Sequence, residues 1–184
     1  DDDAAAGGGG IDSECAEIKA ALSAKRDLIY SVFGYYCVMG FESSDRYVMG
    51  PSEYAHFLRD CELVDNSSKA CRHSDLDLIF ISTNVEERAT GTLSVEQRQL
   101  NAANADRALM RFEFLQCLVR IACAKYVKGG VTKDVSEAVE LFLAKDIEAK
   151  VPPEAVQAPD RFRMSRLYTK EVHEVFTANE KNLR

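Results

Sequence analysis

Apolar residues recur every three or four positions along most of this chain, and that spacing is typical of amphipathic helices. A long helix is predicted from Glu14 to about Gly40, with apolar positions at Ile18, Leu22, Ile29, Phe33, Tyr36 and Cys37. Gly50-Pro51 predicts the start of the next helix, because proline suits a first helical turn. That helix is expected to end before the polar cluster at 65–68.

Two further helices are predicted in the middle of the chain. Ser74 is placed as the N-cap of a short helix with apolar positions at Leu76, Ile79 and Phe80. The segment 109–126 carries apolar residues around more than one face, so we expect this helix to be buried on more than one side. Between the two helices, residues 84–104 form a polar connection in which 93–100 is a candidate short helix.

The C-terminal third continues the helical pattern. Gly129-Gly130 is predicted to end the preceding helix, and Asp134 is predicted to cap the next one. The prolines within 151–159 predict a stiff, extended connector ahead of a last helix that begins near Thr169. Apart from short bridges between loops, no segment alternates apolar and polar residues with period two. The sequence therefore predicts an all-α fold.

A short internal similarity relates Leu22–Ile29 to Phe176–Leu183. A match of this length has two explanations, chance or a structural repeat. If it is a repeat, the helix from Thr169 onward begins a second unit that the chain cuts short.

Composition and charge narrow the range of partners. The chain has 184 residues and a formal net charge of −7. Its lysines and arginines are scattered, so we expect no concentrated basic face of the kind that binds nucleic acid. A partner attracted by charge would instead be basic. No apolar run approaches the roughly 20 residues that a membrane-spanning helix needs.

The six cysteines follow neither the spacing of a disulfide framework nor that of a zinc site. Cys61, Cys71 and His73 are the combination that could suggest metal ligands, but the chain has no Cys-x-x-Cys pair. The cysteines within apolar helical runs behave as small hydrophobic residues: Cys37, Cys117 and Cys123. We therefore expect reduced thiols in a cytoplasmic protein.

Enzyme motifs are absent from the sequence, which has no nucleophile elbow, phosphate-binding glycine loop, zinc-protease helix or dinucleotide fingerprint. The glycine run at 7–10 precedes a helix but follows no predicted strand, so it does not fit a phosphate loop. His56 and His173 are more typical of solvated or core-edge residues than of catalytic ones. The sequence predicts a non-catalytic protein without a cofactor.

Two stretches have the spacing of an EF-hand, the helix–loop–helix unit that binds calcium through a twelve-residue loop. Phe80 lies four residues before Asn84, as an EF-hand aromatic lies before its first oxygen ligand. Leu109 is followed four and five positions later by Glu113-Phe114, which matches an aliphatic eighth position, an acidic twelfth position and a following aromatic.

The first helix–loop–helix unit, made of the predicted helix Glu14–Gly40, a loop and the helix Pro51–Leu63, lacks most of the expected calcium ligands. Met49 takes its eighth position and Glu53 its twelfth. The first, third and fifth positions are then Glu42, Ser44 and Arg46. Tyr47 stands at the sixth position, where glycine normally makes the sharp turn. A positive charge among the ligands and a bulky residue at the turn both disfavour calcium binding.

The second unit also departs from regular coordination. Counting back from Glu113, the first, third and fifth positions are Ala102, Asn104 and Asp106. Asn84 lies much further from Glu113 than a twelve-residue loop allows. We therefore expect regular calcium coordination to be largely lost. The alternative is one irregular calcium site, formed if the insertion folds back, with the ligands Asn84, Glu86, Asp106 and Glu113.

With these motifs, residues 14–127 resemble a degenerate, calmodulin-like EF-hand pair. The sequences FLRDCELVD (57–65), HSDLDLIF (73–80) and RFEFL (111–115), followed by RIA (120–122), are similar to the core of the tubulin polymerization-promoting protein family. Cilium-associated EF-hand-like proteins share this pattern. The chain departs from that family in its insertion at 84–104 and in its added C-terminal helices.

The resemblance implies a paired helix–loop–helix lobe with additional C-terminal helices. The chain then divides into a flexible tether (1–12), a degenerate EF-hand-like pair (13–128) and a C-terminal helical extension (129–184). The implied function is that of a protein-interaction or scaffold module in a larger cytoskeletal or ciliary protein of the cytoplasm. Its implied partner is a protein, either an amphipathic helix or a cytoskeletal component such as tubulin.

A paired lobe of this kind can open a hydrophobic groove for a partner helix. The residues expected to line it are Phe33, Met39, Met49, Phe57, Met110 and Leu118. In a closed lobe the same residues would form the core. Two other functions stay open at this point: a calcium sensor with one irregular site, and a structural subunit of a large helical assembly.

Overall fold

The computed structural model describes residues 8–39, 48–84, 108–156 and 163–183. In this part of the chain the regular structure is helical, and the extended backbone is limited to one isolated β-bridge. The prediction of an all-α fold is confirmed. Among the described residues, no helix has both the length and the apolar content that crossing a bilayer requires.

The helices, numbered in chain order, are α1 (Gly8–Ala24), α2 (Arg26–Met39), α3 (Pro51–Asp60), α4 (His73–Asn84), α5 (Arg111–Ala122), α6 (Val135–Phe142), α7 (Lys170–Ala178) and α8 (Glu180–Leu183). Helices α5 and α6 continue as π-helical turns over Cys123–Val127 and Leu143–Glu148. A 3₁₀ turn follows at Pro153–Ala155, and a π-helical turn at Arg163–Leu167 precedes α7.

The long helix predicted from Glu14 to Gly40 is two helices, divided at Lys25. The division lets α1 pack on α6 while α2 packs on α3. Hydrophobic periodicity cannot reveal it, because a joint of one residue changes the direction of the axis and leaves the apolar spacing nearly intact. Helix α1 also starts at Gly8, so the last residues of the predicted N-terminal tether are helical.

Local chemistry explains where the middle helices begin and end. Pro51 occupies the first position of α3, as predicted. Asp134 caps α6, and its Oδ1 accepts a hydrogen bond from the backbone N–H of Glu137 at 2.8 Å. Gly130 ends the α5 segment with a φ of 75°. A Cβ at Gly129 would lie 2.2 Å from the carbonyl oxygen of Lys125, so that position requires glycine.

Helices α2 to α5 surround a cluster of buried aromatic rings. The ring of Phe114 lies 5.3 Å from that of Phe33 and 5.4 Å from that of Phe57, measured between centroids. Helix α5 contacts both α4 and α6, and its buried residues are Glu113, Phe114, Cys117, Leu118, Ile121 and Ala122. The prediction that this helix is buried on more than one side is confirmed.

Helix α6 belongs to the same core as α2 to α5. Its segment contributes the buried residues Ala138, Val139, Phe142, Leu143 and Ile147, which pack between α1 and α5. A boundary at residue 128 therefore does not divide the hydrophobic core. The C-terminal extension of the prediction is, up to residue 155, part of one packed unit with the helices before it.

The connector predicted to be extended at 151–159 is compact in its described part. Val151 and Ala155 are buried, and the backbone of Pro153–Ala155 forms a 3₁₀ turn that packs on α2. Ser31 donates a 2.7 Å hydrogen bond to the carbonyl oxygen of Ala155. The prolines restrict the backbone as expected, but the segment folds back on α2 because its apolar residues are buried there.

The C-terminal helices differ from the rest in their exposure. Thr169 caps α7 and accepts a hydrogen bond from the N–H of Val172 at 3.4 Å, and α7 contains no buried residue. The prediction of a last helix starting near Thr169 is confirmed, although Asn179 separates α7 from the short α8.

Candidate functional site

Met49 and Leu109 join the two helix–loop–helix units, α2–α3 and α4–α5, through a single antiparallel β-bridge. The N–H of Met49 donates to the carbonyl of Leu109 at 2.9 Å, and the N–H of Leu109 donates back at 2.8 Å. Both side chains are fully buried. The bridge therefore links the two residues to which the sequence assigns the eighth loop positions.

The helix that follows each bridge residue starts in a similar way. Both helices carry a glutamate at their third position, Glu53 in α3 and Glu113 in α5. One carboxylate oxygen of Glu113 accepts a 2.7 Å hydrogen bond from the backbone N–H of Met110. The carboxylate of Glu53 also folds back, because a Cβ at Gly50 would lie 2.6 Å from its Oε2. Both acids thus point toward the start of their own helix.

Aromatic contacts cross between the two units. Phe33 of α2 packs on Phe114 of α5, and Tyr54 of α3 packs on Phe80 of α4 with ring centroids 4.9 Å apart. The helix before each loop therefore contacts the helix after the other loop. Phe57 lies at the centre of the cluster and contacts both Tyr54 and Phe114.

The hydroxyl of Tyr54 is held inside the core. It donates to the carbonyl oxygen of Leu76 at 3.1 Å and lies 3.8 Å from the sulfur of Cys117. Burial raises the pKa of the Cys117 thiol to about 12, and it also raises the pKa of Tyr54. Both groups are therefore neutral at physiological pH and act as packing residues with satisfied polar atoms.

Of the residues proposed as irregular calcium ligands, the structure describes Asn84 and Glu113. Glu86 and Asp106 lie outside the described residues, as do the first-loop positions Glu42, Ser44, Arg46 and Tyr47. Asn84 ends α4, and among the described residues its buried Oδ1 has no hydrogen-bond partner. Glu113 already uses an oxygen as a helix cap.

The predicted groove residues divide into two sets. Phe33, Met49, Phe57 and Leu118 are buried in the core. Met110 is partly buried, and Met39, at the end of α2, is 37% exposed. The lobe is thus closed in this structure, and the first four residues form its core rather than an open groove.

Cys61, Cys71 and His73 do not form a group that could hold a metal in the described structure. Nδ1 of His73 pairs with the carboxylate of Asp77 at 2.8 Å. Burial raises the pKa of Cys61 to about 12 and also raises that of Cys71. Both cysteines are buried thiols, as expected for small hydrophobic residues.

The described residues do bring three carboxylates together at Glu14, Glu17 and Asp134. Their contacts are those of helix capping. Glu14 accepts hydrogen bonds from the N–H groups of Val135 and Ser136 at 2.8 and 2.9 Å. This cluster stabilises the start of α6 and holds α1 against it.

Sequence reasoning missed a buried polar cluster around Asp146, which is 2% exposed. Its carboxylate accepts hydrogen bonds from Lys125 at 2.6 Å, Tyr126 at 2.7 Å and Lys150 at 3.2 Å. The signal was present, since Asp146 falls on the same helical face as Phe142. An acid on an inward face indicates a buried, paired charge.

Comparison of this chain with protein-family models, with curated proteins and with solved structures gives no match.

Proposed function

We propose that this chain is a non-catalytic protein-interaction module, built on an EF-hand-like pair whose calcium coordination is largely lost. The observation that supports it is the Met49–Leu109 bridge, which joins the two residues that the sequence assigns to the eighth positions of the two loops. We place the module in a larger cytoskeletal or ciliary protein, on the strength of the family resemblance of residues 57–65, 73–80 and 111–115.

The crossed aromatic contacts are a second support for an EF-hand-like pair. Neither helix–loop–helix unit buries its aromatic residues alone. Phe33 needs Phe114 from the other unit, and Phe80 needs Tyr54. Two units that complete each other in this way form one lobe with one core, as paired calcium-binding hands do.

The loss of calcium coordination is supported by the contacts of Glu113, the glutamate at the twelfth position of the second loop. A calcium loop uses its twelfth-position carboxylate as a bidentate ligand. Glu113 instead accepts a backbone hydrogen bond at the start of α5, and it is 4% exposed. A cation bound in the second loop would have to displace that hydrogen bond. A cation bound in the first loop would lie beside the positive charge of the arginine at its fifth position.

The docking surface that we favour lies at the rim of the closed lobe. Val38 and Met39 are exposed at the end of α2, and Phe112 is 55% exposed at the start of α5. The guanidinium of Arg111 lies 4.7 Å from the ring of Tyr30, which places the start of α5 beside the first half of α2. An amphipathic partner helix could bind here without opening the core.

Co-sedimentation with polymerised tubulin tests this proposal directly. We expect the wild-type chain to pellet with microtubules and Phe112→Asp to remain in the supernatant. Leu78→Asp is the matched control, because Leu78 is 61% exposed on α4 and the substitution adds the same charge. Equal loss of binding in both variants would show that net charge, rather than the rim, decides binding. A wild-type chain that never pellets would contradict tubulin as the partner.

A calcium sensor with one irregular site is the second candidate function, and Asn84 is the observation that favours it. A buried amide oxygen with no hydrogen-bond partner among the described residues is costly and would be satisfied by a cation. Glu113→Gln distinguishes the candidates, because it keeps an acceptor for the Met110 N–H and removes the charge. Weaker calcium binding in this variant would favour the sensor.

A further inference from the structure

Helix α7 carries an apolar stripe that is not buried by the described part of the molecule. Val175 and Phe176 are 62% and 57% exposed, and Val172 beside them is only partly buried. Leu167 and Tyr168, just before α7, extend the same apolar surface and are 46% and 71% exposed. An apolar surface this continuous is typical of a binding face.

The structure reveals a correspondence between α7–α8 and α1–α2. The sequence similarity aligns Leu22–Ile29 with Phe176–Leu183, and therefore Lys25 with Asn179. Lys25 is the single residue that separates α1 from α2, and Asn179 is the single residue that separates α7 from α8. The helices thus break at the same aligned position, which argues for a structural repeat rather than chance.

The apolar stripes of the two helices are also in the same register. The apolar residues of α1 that pack against the core are Ile18, Ala21 and Leu22. The same alignment places Val172, Val175 and Phe176 at those three positions. Two of the three residues in α7 are larger than their counterparts in α1, so the α7 stripe offers more apolar area to a binding surface.

The surface that receives the α1 stripe is the α6 segment, residues 135–148. Polar contacts fix α1 there at both ends. Glu14 accepts hydrogen bonds from the start of α6, and Lys25 forms a 2.7 Å ion pair with Glu148 at its end. The Lys25–Glu148 pair is largely exposed, and Ile18 and Leu22 are only partly buried. Helix α1 therefore packs on α6 from the surface of the core, where a competing helix has access to the same binding surface.

We propose that α7 is a second copy of the α1 packing element and that it binds the α6 segment of a second copy of this chain, in the position of α1. The α6 segment packs against the corresponding residues of α1, so it is a surface that accepts a stripe of this register. Glu171 occupies the position of Glu17, whose carboxylate accepts a hydrogen bond from Ser136 at 3.2 Å, and that polar contact can be kept after the exchange. The alignment places Tyr168 and Asn179 at the positions of Glu14 and Lys25, so the larger apolar stripe has to replace the two end contacts of α1. The proposal is independent of calcium binding and of tubulin.

Sedimentation velocity over a range of protein concentrations tests the exchange. We expect concentration-dependent dimers of the wild-type chain, and a dissociation constant raised about 10-fold or more by Phe176→Asp. Thr177→Asp is the matched control: it adds the same charge to the opposite face of α7 and should leave the dimer unchanged. Ile18→Ala loosens α1 and should strengthen the dimer.

A synthetic peptide of residues 167–183 locates the binding surface. Added to the full-length Phe176→Asp chain, it should protect residues 135–148 from hydrogen exchange and increase exchange in α1. No binding, together with a wild-type chain that is monomeric at every concentration, would overturn the proposal. Dimers protected only at 170–183, with α1 and α6 unchanged, would also overturn it, because they would indicate that α7 pairs with itself.

Discussion

The carboxylate of Glu113 and the backbone N–H of Met110 form a 2.7 Å hydrogen bond at the start of α5. The residue that the EF-hand pattern assigns to calcium binding is thus used to cap a helix. The cap stabilises the N-terminus of α5, and α5 forms a large part of the buried core. This one contact therefore gives Glu113 a structural role at the start of α5.

Removing this cap should destabilise the protein. We expect Glu113→Ala to lower the free energy of unfolding by about 1–2 kcal/mol, because the Met110 N–H loses its acceptor. Glu113→Gln keeps an acceptor oxygen and should cost less than Glu113→Ala. Urea denaturation measures both changes. Glu140→Ala, at an exposed position of α6, is the control and should stay within about 0.5 kcal/mol of wild type.

Calcium should not stabilise this protein. We expect no heat of binding and no change in melting temperature when the chelator-treated chain is titrated with calcium or, separately, with magnesium, up to millimolar concentration. The physical reason is that Glu113 is committed to Met110, while an arginine stands among the first-loop ligand positions. Stoichiometric binding in the micromolar range would contradict our proposal and favour the sensor, since such affinity belongs to sensor sites.

The Asp146 cluster should be the most sensitive polar site in the molecule. Asp146→Ala leaves the buried Tyr126 hydroxyl without its acceptor and removes the ion pairs of Asp146 with Lys125 and Lys150, of which Lys150 keeps a 3.5 Å pair with Glu62. We expect a loss of about 2–4 kcal/mol in the free energy of unfolding. Both lysines retain some access to water, which keeps the loss below that of a fully buried pair. Lys150→Met, which removes the longest of the three contacts and a 3.5 Å ion pair with exposed Glu62, should cost much less.

Alkaline pH should weaken the fold through its buried thiols. Burial raises the pKa of Cys61 and of Cys117 from 9.0 to about 12. Between pH 9 and pH 12 the thiols of the unfolded chain lose protons that the same thiols keep in the folded chain. The contribution of these thiols to the free energy of unfolding is therefore fully present below about pH 9 and falls as the pH rises toward 12. Melting temperature as a function of pH measures the fall. It should be shallower in Cys117→Ala than in Cys15→Ala, because Cys15 is exposed.

The sequence was a good guide to most boundaries that local chemistry decides, although α4 begins at His73 and the prediction of Ser74 as its N-cap was wrong. The cap at Asp134, the stop at Gly129-Gly130 and the start at Pro51 depend on residues close in the chain, and all three were predicted. The sequence assigned Met49 and Leu109 to equivalent loop positions, but it did not predict the β-bridge that joins them.

The sequence was a poor guide wherever distant packing decides. The break at Lys25 exists because α1 and α2 pack on different helices, and periodicity does not record a partner. Ala155 folds back because Ser31 and α2 lie beneath it, which no local pattern encodes. The candidate groove residues were recognised as apolar, but only tertiary structure separates Phe33, in the closed core, from Met39, at the rim.

The Met49–Leu109 bridge also has a consequence for how this lobe can change. The bridge fixes the position of Leu109 just before α5, and Asn84 is the last residue of α4. Both residues therefore have fixed positions on the core. The register between α4 and α5 is therefore set at these two residues, and a change in sequence that keeps both in place should leave the packing of the two helices unchanged.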